Sequence, residues 1–384
     1  MGTDSASVEI FIEFKWEPSD DPFCSGSGRP FLQDTNSSGD TLGQITSYAA
    51  AQLGSQFRTH IYSVLIGKGT ARILRWDRTG TIVTEPIEYN TSPHLVEFFR
   101  RYSCAPPAMR GMDQSVSKPT RAELVLARAS LQVDDTVQLV KLEIPRPGHD
   151  SDYFITPTPI ATPHTPPGRA TRVFHAYDVA HRRKVLLKDS WRVDLPEIQP
   201  EGLTYKTLMN ASVPHIPHCI SSGDITTDKY HATMTKHYAT NKFPWAYYYD
   251  DGHFIPHRHY RLVLDVIGLS LTKFKSSHQM VTAVRDALIG EFKTSCKEDG
   301  TDQPLAHKEA YYNAQILHRD FSVGNIIIHD GRGLLIDWDL SRPVSSKWDS
   351  PRCAIRTVHH IFVALHDYSD VQFIRARGNS CHPN

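Results

Sequence analysis

The segment ILHRDFSVGNIIIHDGRGLLIDWDL, residues 316–340, sets Asp320 ahead of Asn325 in an H-R-D-x-x-x-x-N spacing. It then places Asp337 behind the apolar run Leu334, Leu335, Ile336. Phosphoryl transfer asks for three things: an orienter or base for the acceptor hydroxyl, oxygen ligands for a divalent cation, and positive charge on the phosphates. Asp320 suits the first. Asn325 and Asp337 carry the oxygen donors that hard Mg²⁺ prefers. Lys188, behind Val185, Leu186 and Leu187, suits the third. Singly, each has an ordinary structural role: an aspartate in a surface turn, an asparagine capping a turn, a solvated lysine. Together, H-R-D-x-x-x-x-N, an apolar strand and D-W-D form a composite signal.

These residues must be held by the elements around them. RATRVFHAYDV and RRKVLLKDSW read as adjacent strands, TYKTLMNA as a short helix and HYRLVLDVIG as a strand ending in glycine. SSHQMVTAVRDALIGEF has Met280, Val284, Ala287 and Leu288 at helical spacing, and AHKEAYYNA continues helically. Asp320 is then expected in a loop after an apolar helix end. Strands come first and helices later, which predicts a two-lobed unit starting near Gly168. Upstream, VEIFIEFKW reads as a strand, residues 20–40 as loop, and GQITSYAAAQLGSQF as a helix from Gly43. IYSVLIG, ARILRWD and GTIVTEPI read as strands, SPHLVEFFRRY as a helix capped by serine, and TVQLVKLEI as a strand. Seven prolines fall between Pro145 and Pro167. That density breaks helices and central strands, so 145–167 is expected to be a linker or irregular loop.

The chain has 384 residues, enough for two domains, and 40% of them are apolar. Lys plus Arg and Asp plus Glu are 42 each, so net charge supplies no global pull toward nucleic acid or membrane. Six cysteines lie far apart with no C-x-x-C pair and no zinc spacing, which suits reduced thiols inside a cell. Neither a signal peptide nor a membrane span is expected. MGTDSAS, with Gly2 and Ser5, fits a myristoylation start only loosely.

The strings GRATRVFHAYD, VLLKDSW, VPHIP, HYRLVLDVIG, LTKFKSS, ILHRDFSVGNIII and GLLIDWDLSRPVSSKWDSPR resemble the fungal-type protein kinases. FIEFKWEPSDDPF and GQITSYAAAQLGSQFRTHIYSVLI resemble the region that precedes the kinase domain in that family. The resemblance implies an α+β, bilobal protein-kinase-like fold with an incomplete C-lobe, preceded by a small α+β domain. The divisions expected are 1–144, the 145–167 linker, and 168–384, with the N-lobe over about 168–268 and the C-lobe over about 269–384.

By the same resemblance, ATP and Mg²⁺ are the expected cofactors and a protein Ser or Thr hydroxyl the acceptor. Lys188 would pair with the ATP phosphates, Asp320 would be the catalytic-loop aspartate, and Asn325 and Asp337 would hold metal. Gly168 to Val173 would cover the nucleotide, although one glycine there falls short of G-x-G-x-x-G. Leu264 to Gly268, with Val266 and Gly268, resembles the hinge that touches adenine. His318 would support the loop and Arg319 would pair with charge in the activation segment. Glu201 is the first choice to hold Lys188, with Glu197 the second, while Leu203 stands where the family commonly has another Glu.

Three departures are plain. Ser322 stands where an ordinary catalytic loop has lysine. Residues 290–305 form a polar insertion, readable as a surface loop or as retained non-coding sequence. The chain also ends soon after Asp337, which predicts an incomplete lobe and a competing reading as a pseudokinase or scaffold. A third reading concerns Glu13-Phe14-Lys15 and Gln44, which resemble the E-x-K half of a nuclease site. Its upstream acidic partner is wanting, since Asp4 is poorly placed, and E-x-K is common on exposed strands.

Overall fold

The computed structural model describes residues 5–24, 31–146, 148–157, 165–227, 229–238, 246–248, 254–288, 308–344 and 373–376. The expected insertion 290–305, Gly2, Asp4, and the tail 357–384 apart from one strand lie outside the described residues.

The chain opens with β1 (Phe11–Phe14) and α1 (Asn36–Ser55). The helix starts well ahead of Gly43. Thr35 accepts from the Ser38 N–H while Ser38 accepts from the Thr35 N–H, a reciprocal cap that satisfies two otherwise orphaned donors. Next come β2 (Ile61–Ile66), β3 (Ala71–Trp76) and β4 (Thr81–Thr84), then α2 (His94–Cys104). β1 to β4 run in order, extended by β18 (Phe373–Ala376) and β11 (Ala246–Tyr248) into a six-stranded sheet. Ile45, Ala49 and Leu53 of α1 pack on Ile61, Leu65, Leu74 and Val83 to form its core.

After α2 the chain forms β5 (Val116–Ser117), α3 (Arg121–Leu131) and β6 (Val140–Ile144). β7 (Asp152–Thr156) follows, inside the stretch expected to be a linker. The correction has a simple cause. The prolines flank Asp-Tyr-Phe-Ile-Thr without interrupting it, and an aromatic and β-branched run is free to pair. β8 (Arg172–Asp178) and β9 (Arg183–Val193) come next, then α4 (Glu201–Asn210), β10 (Cys219–Asp224) and α5 (Thr235–Tyr238). β11 (Ala246–Tyr248) and β12 (His257–Leu264) precede β13 (Leu269–Ser270).

One seven-stranded sheet runs in the order β10-β12-β9-β8-β7-β6-β5. All its pairings are antiparallel. The expected boundary after residue 144 therefore falls within a continuous sheet. Phe154, Phe174, Val185, Leu187 and Val263 are buried together on it.

The remaining elements are α6 (Ser277–Leu288), α7 (Lys308–Tyr312), β14 (Ile316–Leu317), β15 (Ile326–His329), β16 (Arg332–Leu335), β17 (Arg342–Pro343) and β18 (Phe373–Ala376). β13, β15 and β16 form a small sheet, and β14 pairs with β17. α6 lies on β16 so closely that a Cβ at Gly333 would meet the Ala283 carbonyl oxygen at 2.0 Å. Ala283, Ala287, Ile326, Ile328, Leu335 and Trp338 share a core with Tyr205 and Leu208 of α4. The whole is mixed α+β. Among the described residues, Cys24, Cys104 and Cys219 are free thiols, and no helix is long and apolar enough to cross a membrane.

Candidate functional site

β9 places Lys188 between Val173 of β8 and Leu262 of β12, on an interior strand of the seven-stranded sheet. Its Nζ donates to Glu201 Oε2 at 2.7 Å and to Asp337 Oδ1 at 2.6 Å. Glu201 is the first residue of α4 and is buried. The first-choice partner is thus the one in contact, whereas Glu197 is exposed. The absence of glutamate at 203 does not break the pair, because Leu203 faces out of α4 with half its surface exposed.

Asp337 follows β16 and adopts a left-handed backbone with φ 64°. Aspartate is among the few non-glycine residues that tolerate this conformation. Trp338, almost wholly buried, anchors the turn. Its N–H donates to Glu201 Oε1 at 3.0 Å and its Nε1 to the Leu335 carbonyl at 3.3 Å. The His318 ring meets the indole edge-to-face with centroids 4.5 Å apart. His318 Nε2 bonds the Ile336 carbonyl at 3.0 Å, and Nδ1 accepts from the Asp320 N–H at 3.3 Å. Burial pushes the His318 pKa down, against the pull of Asp337 and Asp320. A neutral ring with Nε2 donating therefore ties the Asp320 loop to the Asp337 turn.

Asn325 Nδ2 donates to the Asp320 carbonyl at 2.8 Å and to Asp320 Oδ2 at 3.2 Å. With the nitrogen engaged, Oδ1 is the amide atom left for a cation. The Asn325 carbonyl accepts from the Ile336 N–H at 2.9 Å, which ties Asn325 to the residue that precedes Asp337. The Asp320 loop follows the short strand β14 instead of the expected helix end, because α7 stops at Tyr312. Arg319 has φ 70°, and residues 345–372, which follow β17, lie outside the described residues, so the expected pairing of Arg319 with charge in the activation segment falls outside them.

Two residues were not anticipated. Arg169, next to Gly168, forms an ion pair with Asp339, two places after Asp337. The D-W-D pattern assigns a role to Asp337 and none to Asp339. Lys188 and Arg169 thus face three carboxylates: Glu201, which is buried, and Asp337 and Asp339, which are partly exposed. Burial opposes ionisation of Asp337, yet Lys188 and then Arg169 hold it well below the usual carboxylate range. Burial likewise opposes the Lys188 charge, and Asp337 and Glu201 raise its pKa above the ordinary value. Burial, reinforced by Asp337 and Asp339, pushes Glu201 up. Two cations against three carboxylates leave one negative charge to be met by a proton or by a metal ion. Hard oxygen donors at Asn325 and Asp337, plus that excess charge, fit Mg²⁺.

The other expected contacts are mixed. Val173 pairs across from Lys188. Gly168 has φ +99° and its N–H donates to the Arg78 carbonyl at 2.8 Å. The segment after β12 is held by Asp265, whose N–H donates to the His218 carbonyl and whose carboxylate accepts from the His218 N–H. Val266 turns into the apolar core, so only its main chain is available to a ligand. Gly268 approaches Ile327 so closely that a Cβ would sit 2.8 Å from its side chain.

Lys15 donates to Gln44 Oε1 at 2.9 Å and lies 3.2 Å from Glu13. The three residues of the nuclease reading do meet, but Lys15 is engaged by its neighbours, as in a structural ion pair. Asp113, His231 and His259 form a separate buried cluster. The two ring planes lie within 8° with Nδ1 atoms 2.9 Å apart, an N–H···N hydrogen bond. Arg261 takes Asp113 Oδ2 at 3.0 Å.

No curated protein matches the chain. Among solved structures, the "ROP18 kinase domain in complex with AMP-PNP and sucrose" is similar at 12% identity with a TM-score of 0.28, covering 60% of this chain and 69% of that one. The family model described as fungal protein kinase matches residues 32–370, well over half of the chain. On that match, the protein belongs to the fungal protein kinase family.

Proposed function

We propose that this protein transfers the γ-phosphoryl group of ATP to a Ser or Thr hydroxyl of a protein. The observation that carries the reading is the Glu201–Lys188–Asp337 chain at 2.7 and 2.6 Å. Lys188 supplies the charge that draws the phosphates, and Glu201 fixes its position. Asn325 and Asp337 would hold Mg²⁺, which when bound neutralises charge on the phosphate oxygens. Asp320 orients the acceptor hydroxyl and receives its proton. The new O–P bond forms as the γ-phosphorus parts from its bridging oxygen. The main chain between Leu264 and Gly268 would meet adenine, and Gly168 to Val173 would lie over the phosphates. We assign the strands β7 to β10 and β12 to one lobe and the elements from β13 onward to the other.

Family membership supports a kinase-like activity in general, and the Ser/Thr acceptor is this proposal's own. The alternative, a pseudokinase or scaffold, predicts no turnover that depends on Asp320. The test is incorporation of labelled γ-phosphate into protein by wild type and D320A. Loss of one positioned acid–base group costs ~10²–10⁴-fold, so signal should vanish in D320A. Equal signal from the two would remove the catalytic reading.

A further inference from the structure

The turn Asp77-Arg78-Thr79 joins β3 to β4 in the six-stranded sheet, yet its bonds reach elsewhere. Asp77 Oδ2 accepts from the N–H groups of Met234 and Thr235 at 2.9 and 3.0 Å. Thr79 Oγ1 lies 2.6 Å from Thr233 Oγ1 and 2.8 Å from the Ile255 carbonyl. Arg78, 1% exposed, donates from Nη1 to the carbonyls of Pro166 at 2.8 Å and Thr165 at 3.4 Å, and from Nη2 to that of Leu53 at 3.1 Å. Its own carbonyl accepts from the Gly168 N–H.

A guanidinium bonded to main-chain carbonyls is costly to bury. No carboxylate bonds Arg78 among the described residues, and its Nε is buried without a hydrogen-bond partner among them. Burial and the neighbouring Arg172 bring its pKa down to about 9. What the expense secures is visible in the next residues. Gly168 has φ +99° and Ala170 φ 45°, conformations that L-residues rarely adopt and that surrounding bonds must enforce. Between them, the Arg169 carbonyl accepts from the Trp191 N–H at 2.7 Å and the side chain reaches Asp339.

We infer that Arg78 is a positioning residue for the cleft, fixing Thr165–Gly168 so that Arg169 is held against Asp339 beside Asp337 and Lys188. The amino-terminal sheet thereby shapes the roof of the phosphate site from outside it. Arg78 touches neither substrate nor metal ligands; it acts through Arg169. The functional part of the inference rests on the phosphoryl-transfer reading, whereas the hold on Thr165–Gly168 does not.

The experiment uses the full chain as wild type, R78Q, R169Q and the double variant. Hydrogen exchange is followed over residues 165–172, and Mg·ATP affinity is measured by calorimetry. R78Q should speed exchange in that segment and weaken Mg·ATP about tenfold, or about 1.4 kcal/mol. R169Q should weaken Mg·ATP similarly while leaving the Gly168 amide protected. The double variant should be no weaker than either single one, since both act through one contact. A merely structural arginine would give additive losses, and that result overturns the inference. So does unchanged exchange in R78Q. Should R78Q fail to fold, R169Q decides: full Mg·ATP affinity in R169Q overturns the inference, and weakened affinity with Gly168 protected upholds it. A wild type that does not bind Mg·ATP sinks the phosphoryl-transfer reading instead, and the exchange data still decide whether Arg78 holds the segment.

Discussion

Glu201 and Trp338 are bonded between α4 and the D-W-D turn: the Trp338 N–H donates to Glu201 Oε1 at 3.0 Å, while the other carboxylate oxygen holds Lys188. One side chain at the start of α4 therefore fixes both the lysine and the Asp337 turn.

Substituting Glu201 should uncouple them. E201A leaves Lys188 buried against Asp337 alone, and breaking a buried pair of this kind costs ~3–5 kcal/mol. E201Q keeps the shape and an acceptor for the Trp338 N–H. It should unfold closer to wild type in denaturant titration yet bind Mg·ATP weakly. Equal stability of E201A and wild type would contradict the contact.

Trp338 is read as the structural pivot of D-W-D. W338A should lose ~3–5 kcal/mol through the cavity it leaves. W338F keeps the edge-to-face contact with His318 but loses the bond to Leu335, and should lose much less. Thermal unfolding of the two variants, compared with Mg·ATP binding, checks the order.

Acid should destabilise the fold through its buried histidines. Burial depresses His231 and His257 to about 4 each, His231 facing Asp113, Asp189, His259 and Arg261, and His257 facing Asp77, Arg78 and Arg169. A depressed histidine binds its proton more readily when unfolded. Stability is therefore full above the ordinary histidine value of 6.5 and falls between there and about 4, by up to about 3 kcal/mol for each group. Glu201, shifted upward, acts in the opposite sense and offsets part of this. Denaturant midpoints at pH 7.5, 6 and 5 should fall in that order, and a flat series would refute the burial of the two rings.

Gly333 should accept no side chain. The Cβ of G333A would collide with the main chain of α6 at Ala283, and overpacking of this kind costs ~1–3 kcal/mol. A G333A protein with an unchanged midpoint would show that α6 sits farther from β16.

The residues that were legible in the sequence share one property: each lies in a short local pattern. Asp320, Asn325 and Asp337 sit in one segment, and Lys188 directly follows the apolar run Val185, Leu186, Leu187. Glu201 was reached from its place ahead of a helical face. Arg169 and Asp339 escaped because their pairing depends on how β8 and the D-W-D turn meet in space, which no local spacing encodes. β7 escaped for the opposite reason: proline density hid a five-residue strand that the prolines only border. The start of α3 is a local signal of the same kind, since Thr120 and Glu123 form a reciprocal cap.

The unbroken pairing from β5 to β10 bears on how this protein can be dissected. A fragment beginning at residue 168 would strip β7 from β8 and leave a raw strand edge beside the lysine strand, an invitation to self-association. It would also discard Arg78, and with it the brace on Arg169. Inclusion bodies from such a fragment would thus reflect where the cut was made, and a soluble kinase preparation should begin no later than β1.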